Sequence, residues 1–314
     1  MKLVTFTHNG KSRIAALKDG KVIDLHAAFE AKLVSEGKLR AAQIAEAYIP
    51  QDMNGFLQGG AESLSLAKEA VAYALENESA VRLVFKEEEV KIEAPVPAPG
   101  KIICVGHNYR EHILEMKREL PPHPVVFAKF ANAVVGPQGD IPFLPISEQL
   151  DYEAEFAFVI GTRARNVSQA EALDYVAGYT IVNDVTYRDL QRRTLQWLQG
   201  KAVDGSAPMG PWLVTSDELT DPAGLDIVLT VNGEERQRSN TGNLVFSVHY
   251  LVEFLSNLMT LEPGDVILTG TSGGVGVARE PQTFLKDGDV VRIEVDRVGV
   301  LENKVKRTAE VPVS

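Results

Sequence analysis

Four acidic residues on two segments set the chemistry this chain could perform. In Asp151-Tyr152-Glu153-Ala154-Glu155-Phe156-Ala157-Phe158-Val159-Ile160 the acids recur at every second position, and in a strand successive side chains alternate faces. Asp151, Glu153, Glu155 and Ala157 would share one side, with Tyr152, Phe156, Phe158 and Ile160 on the other, so that one face is core and the other carries charge. Gathered carboxylates repel unless they are hydrated, protonated or neutralised by a cation, and an all-oxygen set suits a hard ion such as magnesium, manganese or calcium. A solvated strand edge is the alternative reading of the same residues.

The fourth acid lies in Gly178-Tyr179-Thr180-Ile181-Val182-Asn183-Asp184-Val185-Thr186-Tyr187-Arg188-Asp189-Leu190-Gln191, which reads as a strand running into a helix. Asp184 is placed to cap that helix. Arg188 and Gln191 would then share its face and could point into one pocket, or simply form an intrahelical Asp-Arg pair. In Gly106-His107-Asn108-Tyr109-Arg110-Glu111-His112-Ile113-Leu114-Glu115, His112 and Glu115 stand three apart. A carboxylate beside an imidazole orients it and raises its basicity, which makes a general base, although a polar helix face shows the same spacing. Lys201 and Lys129 sit among small or apolar residues, where either could meet a substrate carboxylate or oxyanion or reach out to water.

Two further motifs fail on context. Gly270-Thr271-Ser272-Gly273-Gly274 matches a nucleophile elbow, but no helix pattern follows it and no histidine comes after Ser272. The same glycines miss the dinucleotide fingerprint, because Arg279 stands where its last glycine belongs. A backbone that approaches a ligand closely is what they suggest.

Composition narrows the partners. The net charge is −11 and no basic cluster is interleaved with aromatics, so nucleic acid and anionic membrane are excluded as partners and a small molecule is expected. No apolar run nears the roughly 18 residues of a membrane helix. The single cysteine, Cys104, lies in an apolar run as a packed strand residue, and the N-terminal segment lacks a signal-peptide pattern; together these predict a cytoplasmic protein.

The elements that must position these residues are mostly strands. Asn9-Gly10 and Asp19-Gly20 predict hairpins in the first thirty residues, and Leu64 to Glu76 is helix-like. Ala94-Pro95-Val96-Pro97-Ala98-Pro99-Gly100 can hold neither helix nor interior strand, which places a boundary between a small N-terminal α+β domain, 1–94, and a larger domain, 95–314. Strands are expected at 101–106, 124–130, 151–161, 225–232, 264–269 and 289–296, and helices at 108–117, 168–177, 185–196 and 246–258. They do not alternate regularly, so the expected class is a strand-rich α+β fold and not a doubly wound sheet.

Taken in order, Gly106-His107-Asn108-Tyr109 with His112 and Glu115, Tyr152-Glu153-Ala154-Glu155, Asn183-Asp184 with Arg188 and Gln191, Gly200-Lys201, Pro208-Met209-Gly210-Pro211-Trp212 and Thr269-Gly270-Thr271 resemble the fumarylacetoacetate hydrolase family. Within it the chain is similar to the acylpyruvase and 2-hydroxyhepta-2,4-diene-1,7-dioate isomerase type. The resemblance implies a mixed β-roll catalytic domain, a homodimer, and a magnesium or manganese ion, with calcium as a substitute. By match to the family pattern Glu153, Glu155 and Asp184 would hold the metal. His112 and Glu115 would form the base dyad with Lys201 as a further catalytic residue, and Arg188, Gln191, Thr271, Lys129 and Tyr109 would contact substrate. The chain departs from the pattern at His107, where many relatives carry arginine, at Ser272, and at Phe130.

The implied chemistry is a 2-oxo acid activated through a metal-stabilised enolate. Hydrolysis of an acylpyruvate to pyruvate and a carboxylic acid is the leading expectation. Isomerisation or decarboxylation of a hydroxymuconate-like dioate, or of oxaloacetate, is the alternative, and a metal-stabilised binding module without catalysis stands behind both. Glu153→Gln is expected to weaken metal binding with little loss of fold.

Overall fold

The computed structural model describes residues 1–77 and 83–308. It is a mixed α+β structure, rich in strands and without a closed barrel. Both hairpin turns form as expected, with φ of 51° and 74° at Asn9 and Gly10 and 51° and 73° at Asp19 and Gly20, the left-handed pair that a tight two-residue turn requires. The strands Lys2–His8, Lys11–Lys18 and Lys21–Asp24 that they join belong to a twelve-stranded sheet. That sheet continues into the larger part of the chain, because Lys2–His8 pairs with Ala207–Thr215 through Leu3 and Leu213. The division near residue 94 is accordingly proposed as one between chain segments that share a sheet.

The strand Ala154–Ile160 runs through the middle of this sheet, between Val176–Asn183 and Val266–Thr271. Both of its faces are buried, which corrects the expectation of one charged face. Phe156, Phe158 and Ile160 enter a core shared with a five-stranded sheet that includes Asp226–Val231, Val290–Val295 and Gly299–Arg307. Ala157 and Val159 point the other way, under the helices Leu25–Ser35 and Gly60–Glu76. Small residues on that side let the helices approach. The acids occupy the strand's N-terminal end, beyond the reach of either apolar layer.

Several expected helices are shorter or absent. The segment 168–177 holds only a 3-10 turn, Ala172–Tyr175, before the chain enters a strand. In place of one helix over 185–196 there are a short strand, Thr186–Tyr187, a single turn, Arg188–Gln191, and another turn at Leu198–Lys201. Tyr187 and not Asp184 precedes the first turn, so Asp184 caps no helix. The helix Val248–Leu258 forms close to expectation, capped by the Ser247 side chain.

Candidate active site

The acidic ends of two neighbouring strands meet in a buried cluster. Glu153, Glu155 and Asp184 each offer an oxygen, and these oxygens lie within 4.8 Å of one another. The backbone explains the meeting: the Asp184 N–H donates to the Glu153 carbonyl at 2.9 Å, and the Glu153 N–H to the Asn183 side chain at 3.1 Å. Opposite Glu155 the register slips between Thr271 and Leu268, giving the partner strand an extra residue. Gly270 sits in that bulge at φ +103°, where a Cβ would come within 2.8 Å of the Val105 carbonyl, and its N–H donates to Glu155 Oε2 at 2.6 Å.

Cations from distant segments offset part of this charge. Lys201 Nζ reaches Glu153 at 2.8 Å and Asp184 at 2.6 Å. Lys129 lies 2.9 Å from Asp184 Oδ1 and donates to the Val185 carbonyl. Arg188 bridges Glu153 at 2.7 Å and Asp151 at 2.8 Å. Asp151 is further held by the N–H groups of Gly276 and Val277, so it fixes Arg188 and stands outside the metal-like group. Four buried carboxylates thus face three cations. Burial, reinforced by the charges of Asp184 and Glu153, pushes Glu155 well above the usual carboxylate range. Burial acts the same way on Glu153, but Lys201 and Arg188 overcome it and hold that carboxyl below its ordinary value.

These residues fit a divalent cation. The donors are all hard oxygens, the cluster carries an excess carboxylate, and Asp184 Oδ1 is buried without a hydrogen bond, touched only by the Lys129 charge. Beside the cluster opens a cavity of about 340 Å³, lined among others by His112, Arg188, Gln191, Lys201, Thr271 and both glutamates. His112 Nδ1 meets Glu115 Oε1 at 2.7 Å, and the other Glu115 oxygen accepts the Gly274 N–H at 2.9 Å. Because a carboxylate only accepts, Nδ1 carries the proton and Nε2 is left as the acceptor. The pair is anchored from both sides of its helix, Arg110–Glu115: Glu111 bonds to Ser239, and Asn108 ties the preceding turn to the Phe246 and Thr269 backbone.

Of the residues expected at the site, Lys129 reaches it from beneath through Asp184, and Tyr109 does not reach the cavity. The Tyr109 ring is fully buried, its hydroxyl has no partner, and burial raises its pKa. Thr271 lines the cavity while its hydroxyl is engaged by Ala154 and Gln237. Asn108 and Gln237 were assigned no role at the site from the sequence, and Asp151 counted there only as the first acid of the alternating run, not as the partner of Arg188. Cys104 is buried, as its apolar neighbours implied, and burial raises its thiol further.

Comparison with known proteins places the chain by family and fold. The model of the fumarylacetoacetate (FAA) hydrolase C-terminal domain matches residues 101–306. The chain is 44% identical over 262 residues to the mitochondrial oxaloacetate tautomerase FAHD2A of Bos taurus, covering 83% of this chain and 81% of that one. It is 41% identical over 322 residues to a fumarylacetoacetate hydrolase domain-containing protein 2 homolog of Dictyostelium discoideum, covering 98% and 97%. Among solved structures, a fumarylacetoacetate hydrolase of Exiguobacterium antarcticum aligns with a TM-score of 0.79 at 33% identity, covering 98% of this chain and all of the other. The maleylpyruvate hydrolase of Sphingobium sp. SYK-6, in complex with manganese(II) and pyruvate, aligns at 0.75 and 28%, again over 98% and 100%. The tautomerase names overturn the cytoplasmic expectation, since those relatives are mitochondrial. No helix among the described residues is long and apolar enough to cross a membrane. By the domain matched, the length of the match and the fold, this chain belongs to the fumarylacetoacetate hydrolase family of enzymes.

Proposed function

We propose that this protein is a divalent-metal-dependent oxaloacetate tautomerase, interconverting the enol and keto forms of a short 2-oxo acid. The observation that carries the reading is the His112–Glu115 pair, whose imidazole lines one cavity with Glu153 and Glu155 of the buried cluster that Asp184 completes. Tautomerisation needs one proton moved between the 2-oxygen and C3, and a single oriented imidazole is the minimal device for it. The relatives named oxaloacetate tautomerases support the substrate.

A divalent ion held by Glu153, Glu155 and Asp184 would supply Lewis-acid polarisation of the 2-oxo group. The chain's own residues do the rest. His112 Nε2 takes the proton from C3 of the keto form and delivers it to the 2-oxygen, and in the other direction takes the enol's 2-oxygen proton and delivers it to C3, while Glu115 accepts from Nδ1–H and so keeps Nε2 as the carrier. Lys201 lines the cavity with its ammonium fixed by two carboxylates, so its charge is already in place when negative charge develops on the substrate oxygen. Arg188 is clamped by Asp151 and keeps Glu153 ionised.

Acylpyruvate hydrolysis, the leading expectation from the sequence, becomes the second reading, supported by the likeness to the maleylpyruvate hydrolase. It needs a water activated by the same imidazole. Enol-rich oxaloacetate, followed by the loss of enol absorbance with manganese, magnesium or EDTA, separates the two. Metal-dependent ketonisation above the buffer rate supports tautomerase. A rate equal to that of buffer with metal, together with pyruvate released from acylpyruvates, would move the assignment to hydrolase.

A further inference from the structure

The outer part of the cavity holds two arginines that the chemistry above does not use. Arg118 follows the helix that carries His112, and Arg192 follows Gln191; both line the cavity. At the inner end the lining cations are matched, Lys201 and Arg188 each against carboxylates within 2.8 Å. Arg118 and Arg192 form no ion pair among the described residues, in a chain of net charge −11. Arg118 instead contacts His107 Nε2 at 3.0 Å. A guanidinium can only donate, so this contact fixes the His107 proton on Nδ1 and leaves the ring neutral, adding no charge of its own.

His107 is itself held unusually. Its φ is 54°, in the left-handed region that residues other than glycine seldom adopt, and its ring stacks 6.0 Å from that of His112. Trp197 meets it edge-on at 5.7 Å and Phe127 at 5.2 Å, forming an apolar wall. The cavity lining therefore combines buried carboxylates and an ammonium, an aromatic wall, and two exposed arginines without a carboxylate partner among the described residues. That combination complements a short carbon chain with an anion at both ends.

We propose that Arg118 and Arg192 form a second anion subsite that reads the distal carboxylate of the substrate, so that the site selects 2-oxo dioates over 2-oxo monoacids. The proposal rests on the 2-oxo-acid reading of the inner site and deepens it. Calorimetric titration of the manganese-loaded full chain with 2-oxoglutarate and with 2-oxopentanoate tests it, because these five-carbon acids differ only by a terminal carboxylate in place of a methyl. The parent should prefer the dioate. Arg118→Gln and Arg192→Gln should each shrink that preference by about fivefold, and the double variant should abolish it. An undiminished preference in the double variant, or parallel weakening of both ligands, overturns the subsite while leaving the tautomerase reading intact. A retained, arginine-dependent preference in a protein that fails to tautomerise oxaloacetate supports the subsite and removes only the proposed reaction.

Discussion

Replacing Glu155 with glutamine separates the metal site from the fold more cleanly than any other change in the cluster. Glu155 is 1% exposed and makes one hydrogen bond, from the Gly270 N–H, which a glutamine carbonyl oxygen can accept with nearly unchanged volume. No cation touches it directly. Its carboxylate sits within 4.8 Å of oxygens of Glu153 and Asp184. At an effective dielectric of about 20, each such repulsion is worth about 3.5 kcal/mol when both groups are ionised. Burial and these charges already push the metal-free carboxyl towards its neutral form, which glutamine matches in charge and nearly in shape, so the metal-free variant should stay within about 1 kcal/mol of the parent.

The metal-loaded state should tell the two apart. With free manganese at about a hundred times its dissociation constant, the parent gains about 2.7 kcal/mol. An unfolding entropy of about 2.1 cal/mol/K per residue over 314 residues converts this into a rise in Tm of about 4 °C. Loss of one of three charged ligands should weaken the ion by at least about 100-fold, beyond what outer partners of a metal contribute, and the rise then shrinks below about 1 °C. Scanning calorimetry across a manganese titration, reversed with EDTA, measures both quantities. An equal manganese-induced rise in Glu155→Gln would refute the assignment of this carboxylate as a ligand. A metal-free variant weaker by more than about 2 kcal/mol would refute the charge argument.

The other substitutions have distinct signatures. His112→Ala should lower turnover by about 10² or more yet keep the manganese-induced rise in Tm; unchanged turnover would remove the imidazole from the mechanism. Glu153→Gln, which the sequence alone presented as harmless to the fold, should cost about 3 kcal/mol in the metal-free chain, because the buried Lys201 and Arg188 each lose an acid partner. Urea denaturation checks it, and a loss below about 1 kcal/mol would show that Asp184 and Asp151 suffice. Burial, aided by the charges of Arg118 and His112, pulls His107 down from 6.5 to about 4. Between those values the unfolded chain binds a proton that the folded chain does not, so stability falls as pH drops from 6.5 towards 4 and is unaffected above that window. His107→Gln should flatten this limb relative to the parent, and identical profiles would show that the ring is not held neutral.

What could be read along the chain was what neighbours in sequence encode. The alternation of acids and aromatics from Asp151 to Ile160 located the cluster's strand, and Asn183-Asp184 its second half, because each pattern is complete within a few residues. The sign of the Glu155 face was misread because periodicity reports that two faces differ and not what covers each one: Ala157 and Val159 are buried under helices contributed by the first 76 residues. The strand Ala207–Thr215 joins the two parts of the sheet, yet its Pro208, Gly210 and Pro211 argue locally against any strand. Charge balance was the least legible property. Arg188 looked like an intrahelical partner of Asp184, four residues before it, whereas its buried partners Asp151 and Glu153 lie 37 and 35 positions away on a different segment. Lys129 and Lys201 looked alike as lone lysines in apolar surroundings, and both prove to neutralise Asp184 from different sides. Their roles nonetheless diverge. Lys201 also lines the cavity and Lys129 does not, so only Lys201 can present its charge to a bound anion, while Lys129 sustains the carboxylate from behind.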